Sequence, residues 1–291
     1  MDDYLFSVII PVYNDKLRLI RLLNTLRKQT FDRNDIQVIV VDNDSAPPLV
    51  LDSHYKDWVT LLRCLQPGSY AARNKAVSIA MGRVIVFTDA DCIPSQRWLS
   101  EAEAWYRSRG FPPVILAGGV QQFVDSSPPS IYGLYDLTLG IPQERYVSRG
   151  YGVTANLFVP RIIFDSVGLF DSTRLSGGDA AFCRLAGSHG FQIEYLEKAS
   201  VKHLARTDWD SLSKKVRRVK GGQVLNGPLL RRFLFIIRTL LPPVYALKYA
   251  FKASNLSFVD RLKVCLVQCR LWYTEIVEIV RLLIFRRPPL R

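Results

Sequence analysis

Short apolar runs recur through the first two-thirds of the chain, each broken by a polar or turn-forming cluster. They are Phe6–Asn14, Ile36–Val41, the weaker Leu61–Leu65, Val84–Phe87 and Ala155–Val159. Runs without polar alternation predict strands of a parallel sheet, which is covered on both faces. Between them the spacing turns helical. In Lys16–Gln29, Leu19, Leu22, Leu23 and Leu26 share one face, with Arg18, Arg21, Arg27 and Lys28 outside. This β-α-β start implies a right-handed crossover and parallel strands. Pro11 lacks a backbone donor and belongs at a strand end. Tyr70–Ala80, Trp98–Arg107, Ile162–Val167 and Ala180–His189 predict further helices. Val114–Val120 predicts a strand interrupted by Gly118-Gly119, and Ile193–Leu196 and Ala199–Lys202 predict two short strands. The stretch Asp125–Gly152, rich in Pro, Ser, Tyr and Gly, reads as a loose substrate-facing insertion.

Beyond this the pattern changes. Leu229–Phe251 is strongly apolar but interrupted by Arg231, Arg232, Arg238, Pro242-Pro243 and Lys248, and an arginine in mid-span would be costly in a membrane. Leu262–Phe285 is amphipathic, with Leu266, Cys269, Tyr273, Ile276 and Val280 along one side. No stretch of 18 or more apolar residues is free of charge, so no clear transmembrane helix is expected. The start of the chain shows no charged-then-apolar leader, so no secretion signal is read there.

Charge sharpens this division. Of 291 residues, positions 1–203 carry 21 Lys+Arg and 21 Asp+Glu, whereas 204–291 carry 18 and 5, so 18 − 5 = +13 is the whole net charge. A neutral part precedes a basic part that meets something anionic. Apolar faces edged by Arg and Lys read as helices lying in a membrane interface. The alternative is a helical subdomain packed on the rest of the chain or on a second copy, as a homo-oligomer. Nucleic acid is not expected as a partner, because no recognition motif accompanies the charge and the tail is too apolar. The five scattered cysteines, with no Cys-x-x-Cys pair, read as buried free thiols of a reducing compartment. Cys265 and Cys269, four apart, read as two packing residues on one helix face.

The chemistry gathers at strand ends, where open α/β sheets bind ligands. Asp89 and Asp91 follow Val84–Phe87, and in an extended segment residues two apart point the same way. Both carboxylates can then converge on one hard cation, although an Asp-rich turn is the plainer alternative. Asp179 follows Gly177-Gly178 at a predicted helix start, as a cap or as a general base. Asp42 stands before Asn43-Asp44-Ser45, as a nucleoside contact or as turn chemistry. Arg73 is either an exposed helix arginine or a phosphate partner. His203 is either a strand-end histidine or a metal ligand. Taken together they describe group transfer from a nucleotide-activated donor: a cation on a diphosphate, a supporting arginine, and an opposed carboxylate that takes a proton.

The residues Val8-Ile9-Ile10-Pro11-Val12-Tyr13-Asn14, Val40-Val41-Asp42-Asn43-Asp44-Ser45, Ala72-Arg73-Asn74-Lys75-Ala76, Phe87-Thr88-Asp89-Ala90-Asp91-Cys92, Gly177-Gly178-Asp179 and Val201-Lys202-His203 resemble, in order and spacing, the family 2 glycosyltransferases. The resemblance spans residues 6–203. It implies a GT-A fold, Rossmann-like, with a mostly parallel central sheet flanked by helices, followed here by a C-terminal α-helical appendage. Residues 1–205 would be the catalytic domain and 206–291 the basic, membrane-associating region. The resemblance implies an inverting enzyme that uses a nucleoside-diphosphate sugar, most simply a UDP-sugar, with a divalent cation, Mn²⁺ or Mg²⁺. Pro11, Tyr13 and Asp42 would line the nucleoside pocket, and Arg73 would lie near the diphosphate. Asp89 would face the ribose or the cation's outer shell. Asp91 and His203 would ligate the metal, and Asp179 would be the catalytic base. Gly178 stands where the family often has Glu. The Gln-x-x-Arg-Trp motif of processive synthases is absent, which points to transfer of single sugars. A carbohydrate or lipid-linked acceptor, in surface polysaccharide or glycolipid synthesis on the cytoplasmic face of a membrane, fits the basic tail. Two other readings are weaker. A nucleotidyltransferase would need a Gly-rich triphosphate loop after the first strand, and none is there. A non-catalytic nucleotide-binding membrane scaffold would not need Asp89, Asp91, Asp179 and His203 intact.

Overall fold

The computed structural model describes residues 4–253 and 256–290. The chain divides into two compact units. The first takes in Met1–Gln121, Pro142–Thr173 and Gly178–His203, and the second takes in Gln122–Ile141, Arg174–Gly177 and Leu204–Arg291.

In chain order the elements begin β1 (Tyr4–Val12), α1 (Lys16–Leu26), β2 (Ile36–Asp42), α2 (Ser53–Lys56), β3 (Val59–Arg63), α3 (Ser69–Val77), β4 (Gly82–Thr88), β5 (Cys92–Pro94) and α4 (Trp98–Ser108). They continue with β6 (Ile115–Phe123), α5 (Ile131–Leu139), α6 (Gln143–Val147), β7 (Asn156–Pro160), α7 (Arg161–Val167), α8 (Gly178–Ser188) and β8 (Ile193–Leu204). The sheet order is β3-β2-β1-β4-β7-β6-β8-β5. The first four strands in that order are parallel. β7 runs antiparallel to both β4 and β6, and β5 runs antiparallel to β8. This is the α/β, GT-A arrangement expected, with its parallel character concentrated in the N-terminal half.

The absence of polar alternation has a direct cause. Val8, Ile10, Val38, Val40, Val84 and Val86 face one core, which α1 and α4 cover. The intervening Ile9, Ile39, Val41, Ile85 and Phe87 face a second core beneath α3, α7 and α8. Both sets are buried because helices lie on both faces.

Two strand expectations change. Gly118-Gly119 does not interrupt β6. A Cβ on Gly118 would collide with Ala199 O and the Asn156 amide, and one on Gly119 would meet Glu197 O at 2.7 Å. The glycines let β8 lie close. Asn156 then donates through Nδ2 to Gly119 O (2.9 Å) and Ala199 O (2.8 Å) and accepts from Trp98 Nε1 (2.9 Å). The two short strands expected around residues 193–202 are the single strand β8; exposed Glu197 and Lys198 look like a break but lie within that strand. Pro11 lies inside β1, beyond the last β1–β4 partner pair, Ile9–Phe87.

The second unit is helical. With α5 it contains α9 (Trp209–Leu225), α10 (Leu229–Leu240), α11 (Val244–Lys252) and α12 (Phe258–Leu283). The expected loose stretch 125–152 holds α5 and α6 instead. Leu212, Val267 and Leu271 pack with Tyr132 and Tyr135 of α5. Its interior also carries charge. Asp136 is buried against Arg206 and Lys215, each at 3.3 Å, and Glu278 is buried against Arg217 (2.7 Å) and Arg281 (2.5 Å). The apolar stripe expected on α12 faces outward: Leu266, Tyr273 and Val280 are exposed, whereas Val264, Val267, Leu271 and Ile279 are buried. Cys265 is buried but Cys269 is exposed, so only one of that pair packs; the other three cysteines are buried. No single helix among the described residues is long and apolar enough to cross a membrane, and the pair α10–α11, which together pass that test, is bent by 60°.

Candidate active site

The register brings Val12, Asp42 and Arg63 to one level at the carboxyl ends of β1, β2 and β3. The loops there are cross-tied. Asn43 donates to Cys64 O (3.1 Å) and Gln66 O (2.7 Å) and accepts from Gly68 N (2.9 Å). Asn14, with φ +52°, accepts from Ala46 N at 2.8 Å. Asp42 is buried and accepts from Ser45 N (2.9 Å) and Leu49 N (3.0 Å). Burial alone would raise its pKa; the Ser45 and Leu49 donors and the Arg63 charge outweigh it and hold the carboxyl below its ordinary range. Half-buried Pro11 near the end of β1 and exposed Tyr13 just after it, 53% open, stand at the same level.

Arg73 is not an exposed helix arginine. It is 3% exposed on α3, and its Nη2 pairs with Asp89 at 2.6 Å. Its guanidinium lies 5.5 Å from the Tyr70 ring centre, and its buried Nε has no hydrogen-bond partner. An unsatisfied N–H of this kind is costly, and it suits an anion. Asn74, beside it, clamps the backbone of Phe170 in both directions, at 2.7 and 3.1 Å.

The two carboxylates after β4 part company. The chain turns there, closed by Cys92 N to Asp89 O at 3.0 Å. The expectation of convergence rested on an extended segment. Asp89 goes to Arg73, whereas Asp91 Oδ1 lies 3.6 Å from His203 Nε2 on β8. That is long for a hydrogen bond and short enough for both atoms to bind one ion. Asp91, Cys92 and His203 offer ligand atoms all within 4.8 Å of one another. Cys92 donates to Ala155 O at 3.7 Å, and hard cations select oxygen and nitrogen donors over sulfur. The donor set therefore fits a divalent cation held by Asp91 and His203.

Asp179 lies in the first turn of α8. It retains some access to solvent but is densely surrounded by protein. It accepts from Ala180 N (2.8 Å) and from Tyr70 Oη (3.3 Å). Desolvation dominates and raises its pKa, despite those donors and the Arg73 charge. Gly178 is required here, because a Cβ would stand 2.7 Å from the Tyr70 ring. Tyr146 and Tyr151 stack at 4.9 Å. Burial, then Tyr151 and Asp179, push the Tyr146 hydroxyl up to about 12. Tyr70, Tyr146 and Asn74 carried no role in the sequence reading. Asn74 lay inside a matched motif, whereas Tyr70 is 109 positions from Asp179 and left no local signal.

An α/β sheet of this order, with Asp42 ending β2, Asp89 following β4 and buried Arg73 of α3 paired with Asp89, has the arrangement of a GT-A fold, and comparison with known proteins agrees. Glycosyl transferase family 2 matches residues 7–111. Glycosyltransferase AglE of Haloferax volcanii is 31% identical over 221 residues, 74% of this chain and 72% of AglE. The poly(ribitol-phosphate) beta-N-acetylglucosaminyltransferase TarS of Staphylococcus aureus is 33% identical over 105 residues, 34% of this chain but only 18% of TarS. The structure of TarS 1-349 in complex with UDP-GlcNAc has TM-score 0.54 at 17% identity, covering 95% of this chain and 80% of that one. The mannosyltransferase PcManGT of Pyrobaculum calidifontis, in complex with GDP-Man and Mn²⁺, has TM-score 0.61 at 16% identity, covering 97% of this chain and 88% of that one. The chain belongs to the family 2 glycosyltransferases and is a glycosyltransferase.

Proposed function

We propose that this glycosyltransferase moves a single sugar, with inversion, from a nucleoside-diphosphate sugar to an acceptor hydroxyl. The observation that carries this is Asp179: a carboxylate with a raised pKa, held by Tyr70 and by the start of α8. Asp179 takes the hydroxyl proton as the acceptor oxygen bonds to the anomeric carbon and the bond from that carbon to the diphosphate breaks. The nucleoside diphosphate leaves with the bonding pair. Pro11, Tyr13 and Asp42 bind the nucleoside, Arg73 turns its open Nε to the diphosphate, and Asp89 faces the ribose. Asp91 and His203 hold the divalent cation, Mn²⁺ or Mg²⁺, which when bound neutralises diphosphate charge. The stacked Tyr146 and Tyr151 suit the apolar face of an acceptor sugar.

The donor is a UDP-sugar in the first instance, because TarS 1-349 is a structural neighbour in complex with UDP-GlcNAc; the PcManGT complex with GDP-Man makes GDP the comparison. Calorimetry with UDP, GDP and dTDP, with and without Mn²⁺ or Mg²⁺, tests this. One diphosphate should bind in a metal-dependent way; no binding to any of them would refute the reading.

Catalysis belongs to residues 1–205 and membrane contact to 206–291. The acceptor is a carbohydrate or a lipid-linked glycan, and it bears phosphate, as poly(ribitol-phosphate) does for TarS. α10 supports the membrane reading. Leu230, Phe233, Leu234 and Ile237, at helical spacing, are all exposed, with Phe233 and Leu234 each 58% open and Arg231 and Arg238 also outward. An outward apolar face flanked by arginines suits the cytoplasmic face of an anionic bilayer. Replacing Phe233 and Leu234 by Asp removes two anchors worth about 1.5–3 kcal/mol each when buried. Co-flotation with phosphatidylglycerol vesicles should weaken about a hundredfold or more; unchanged flotation would exclude α10 as the anchor.

A further inference from the structure

Helix α12 is apolar on two opposite faces. Val264, Val267, Leu271 and Leu282 are buried within its own unit. The other face is bare. From Val259 to Leu283 apolar residues return at alternating steps of three and four without a slip. Leu262, Leu266, Tyr273, Val280 and Leu283 on this line are all exposed, Leu266 at 71% and Tyr273 at 67%. Steps of three and four average 3.5 residues, the repeat of a narrow helix–helix seam. A helix lying in a lipid interface keeps the 3.6-residue period and a broader apolar face. The cations of α12 also differ from those of α10. Arg261 is tied to Leu256 O (3.1 Å), Lys263 to Asp260 (2.9 Å) and Arg281 to buried Glu278 (2.5 Å). Arg270 lies over the Trp209 ring at 3.7 Å and donates to Tyr132 Oη at 2.8 Å. Each is engaged within the unit, so the line lacks the outward basic flank that Arg238 gives α10.

We propose that α12 pairs along this line with α12 of a second copy of the chain, as a two-fold dimer. A face that repeats every 3.5 residues is complementary to another of the same repeat. The spacing 3-4-3-4-3-4-3 reads the same from either end, as a self-complementary interface requires. The bare surface amounts to on the order of 700 Å² per copy, near the ~800 Å² per partner of a stable interface. Beside it a groove of about 280 Å³ separates Trp209, Ser213 and Arg217 of α9 from Tyr273, Thr274 and Val277 of α12. Small Ser213 leaves room there for a side chain of the facing helix to insert as a knob.

The test uses the full chain carrying Phe233→Asp with Leu234→Asp, so that the exposed face of α10 cannot account for association. Sedimentation should show a dimer. Adding Leu266→Asp with Tyr273→Asp should raise its dissociation constant about a hundredfold or more. Both side chains are exposed, so circular dichroism should show unchanged helix content. A monomer before the α12 change, or a dimer that survives it unaltered, overturns the proposal. Cys269 is exposed near the middle of the line, and the other four cysteines are buried. A short bismaleimide should therefore join copies of the wild-type chain through Cys269, and Cys269→Ser should abolish the product; no product from wild type also overturns the pairing. If Leu266→Asp with Tyr273→Asp, on an otherwise wild-type chain, reduces flotation with phosphatidylglycerol vesicles and leaves the sedimenting mass unchanged, the line is a membrane face instead.

Discussion

Asp179→Asn should lower kcat by roughly three orders of magnitude, within the range of a lost general base, while leaving UDP binding in place. An amide oxygen can still accept from Ala180 N and Tyr70 Oη, now at 2.8 and 3.3 Å from the carboxylate, so the geometry has no reason to move. What disappears is the capacity to take a proton. The same substitution should not destabilise the protein at neutral pH. Desolvation raises the folded-state pKa of Asp179 above its unfolded value. The stability linked to this group is therefore fully present below the unfolded pKa and is lost as pH rises through the folded one. At neutral pH the charged carboxylate is a burden, and Asn removes it. The melting temperature of the variant should equal or exceed that of wild type at neutral pH, with the advantage shrinking in acid. In wild type, kcat/KM should climb with pH through a value above the ordinary aspartate range. A variant that is inactive and also markedly less stable at neutral pH would make Asp179 a structural cap instead. Tyr70→Phe separates the two further. It removes a donor that lowers the Asp179 pKa, so the acid limb of the rate profile should move to higher pH.

The doubly covered strands were readable because burial on both faces leaves an unbroken apolar run, and a strand end followed by Asp is a local signal. Asp42, Asp89 and Asp91 were found in this way. Local signals failed where a residue's meaning comes from a distant partner. Asp136 sits inside α5 as one of its two buried positions, the other being Gly133. Neither is a large apolar residue, so no helical stripe announces the element, and the cations that neutralise Asp136 lie 70 and 79 positions away. The stripe Leu266–Tyr273–Val280 was visible, but periodicity cannot say which side of a helix meets protein when both sides are apolar. The charge count of the tail was likewise correct and incomplete. It did not distinguish Arg217 and Arg281, spent on buried Glu278, from the exposed Lys248 and Lys252. Gly118-Gly119 misled for a related reason: glycine marks a close approach as readily as a break, and only the position of β8 decides between them.

Asp91→Asn should abolish metal-dependent turnover while leaving the fold intact. Asp91 lies in a turn, where Asn is an equally good residue, and its side chain is 28% exposed, so no buried packing is lost. The change removes a formal negative charge from a pair whose other member, His203, is a neutral ligand when it binds metal. A hard cation prefers a carboxylate to an amide oxygen, so affinity for Mn²⁺ should fall about a hundredfold, toward the larger effects seen when metal-site partners are removed. The free Mn²⁺ resonance in electron paramagnetic spectra reads this directly, without any turnover. His203→Ala should produce a loss of the same kind, because the 3.6 Å separation joins the two side chains in one site. Asp89→Asn should differ. It removes the negative charge that faces Arg73 at 2.6 Å and the carboxylate assigned to the ribose, and should weaken binding of UDP more than binding of Mn²⁺. If Asp89→Asn instead removes Mn²⁺ binding and Asp91→Asn does not, the two carboxylates exchange roles and the cation belongs beside Arg73.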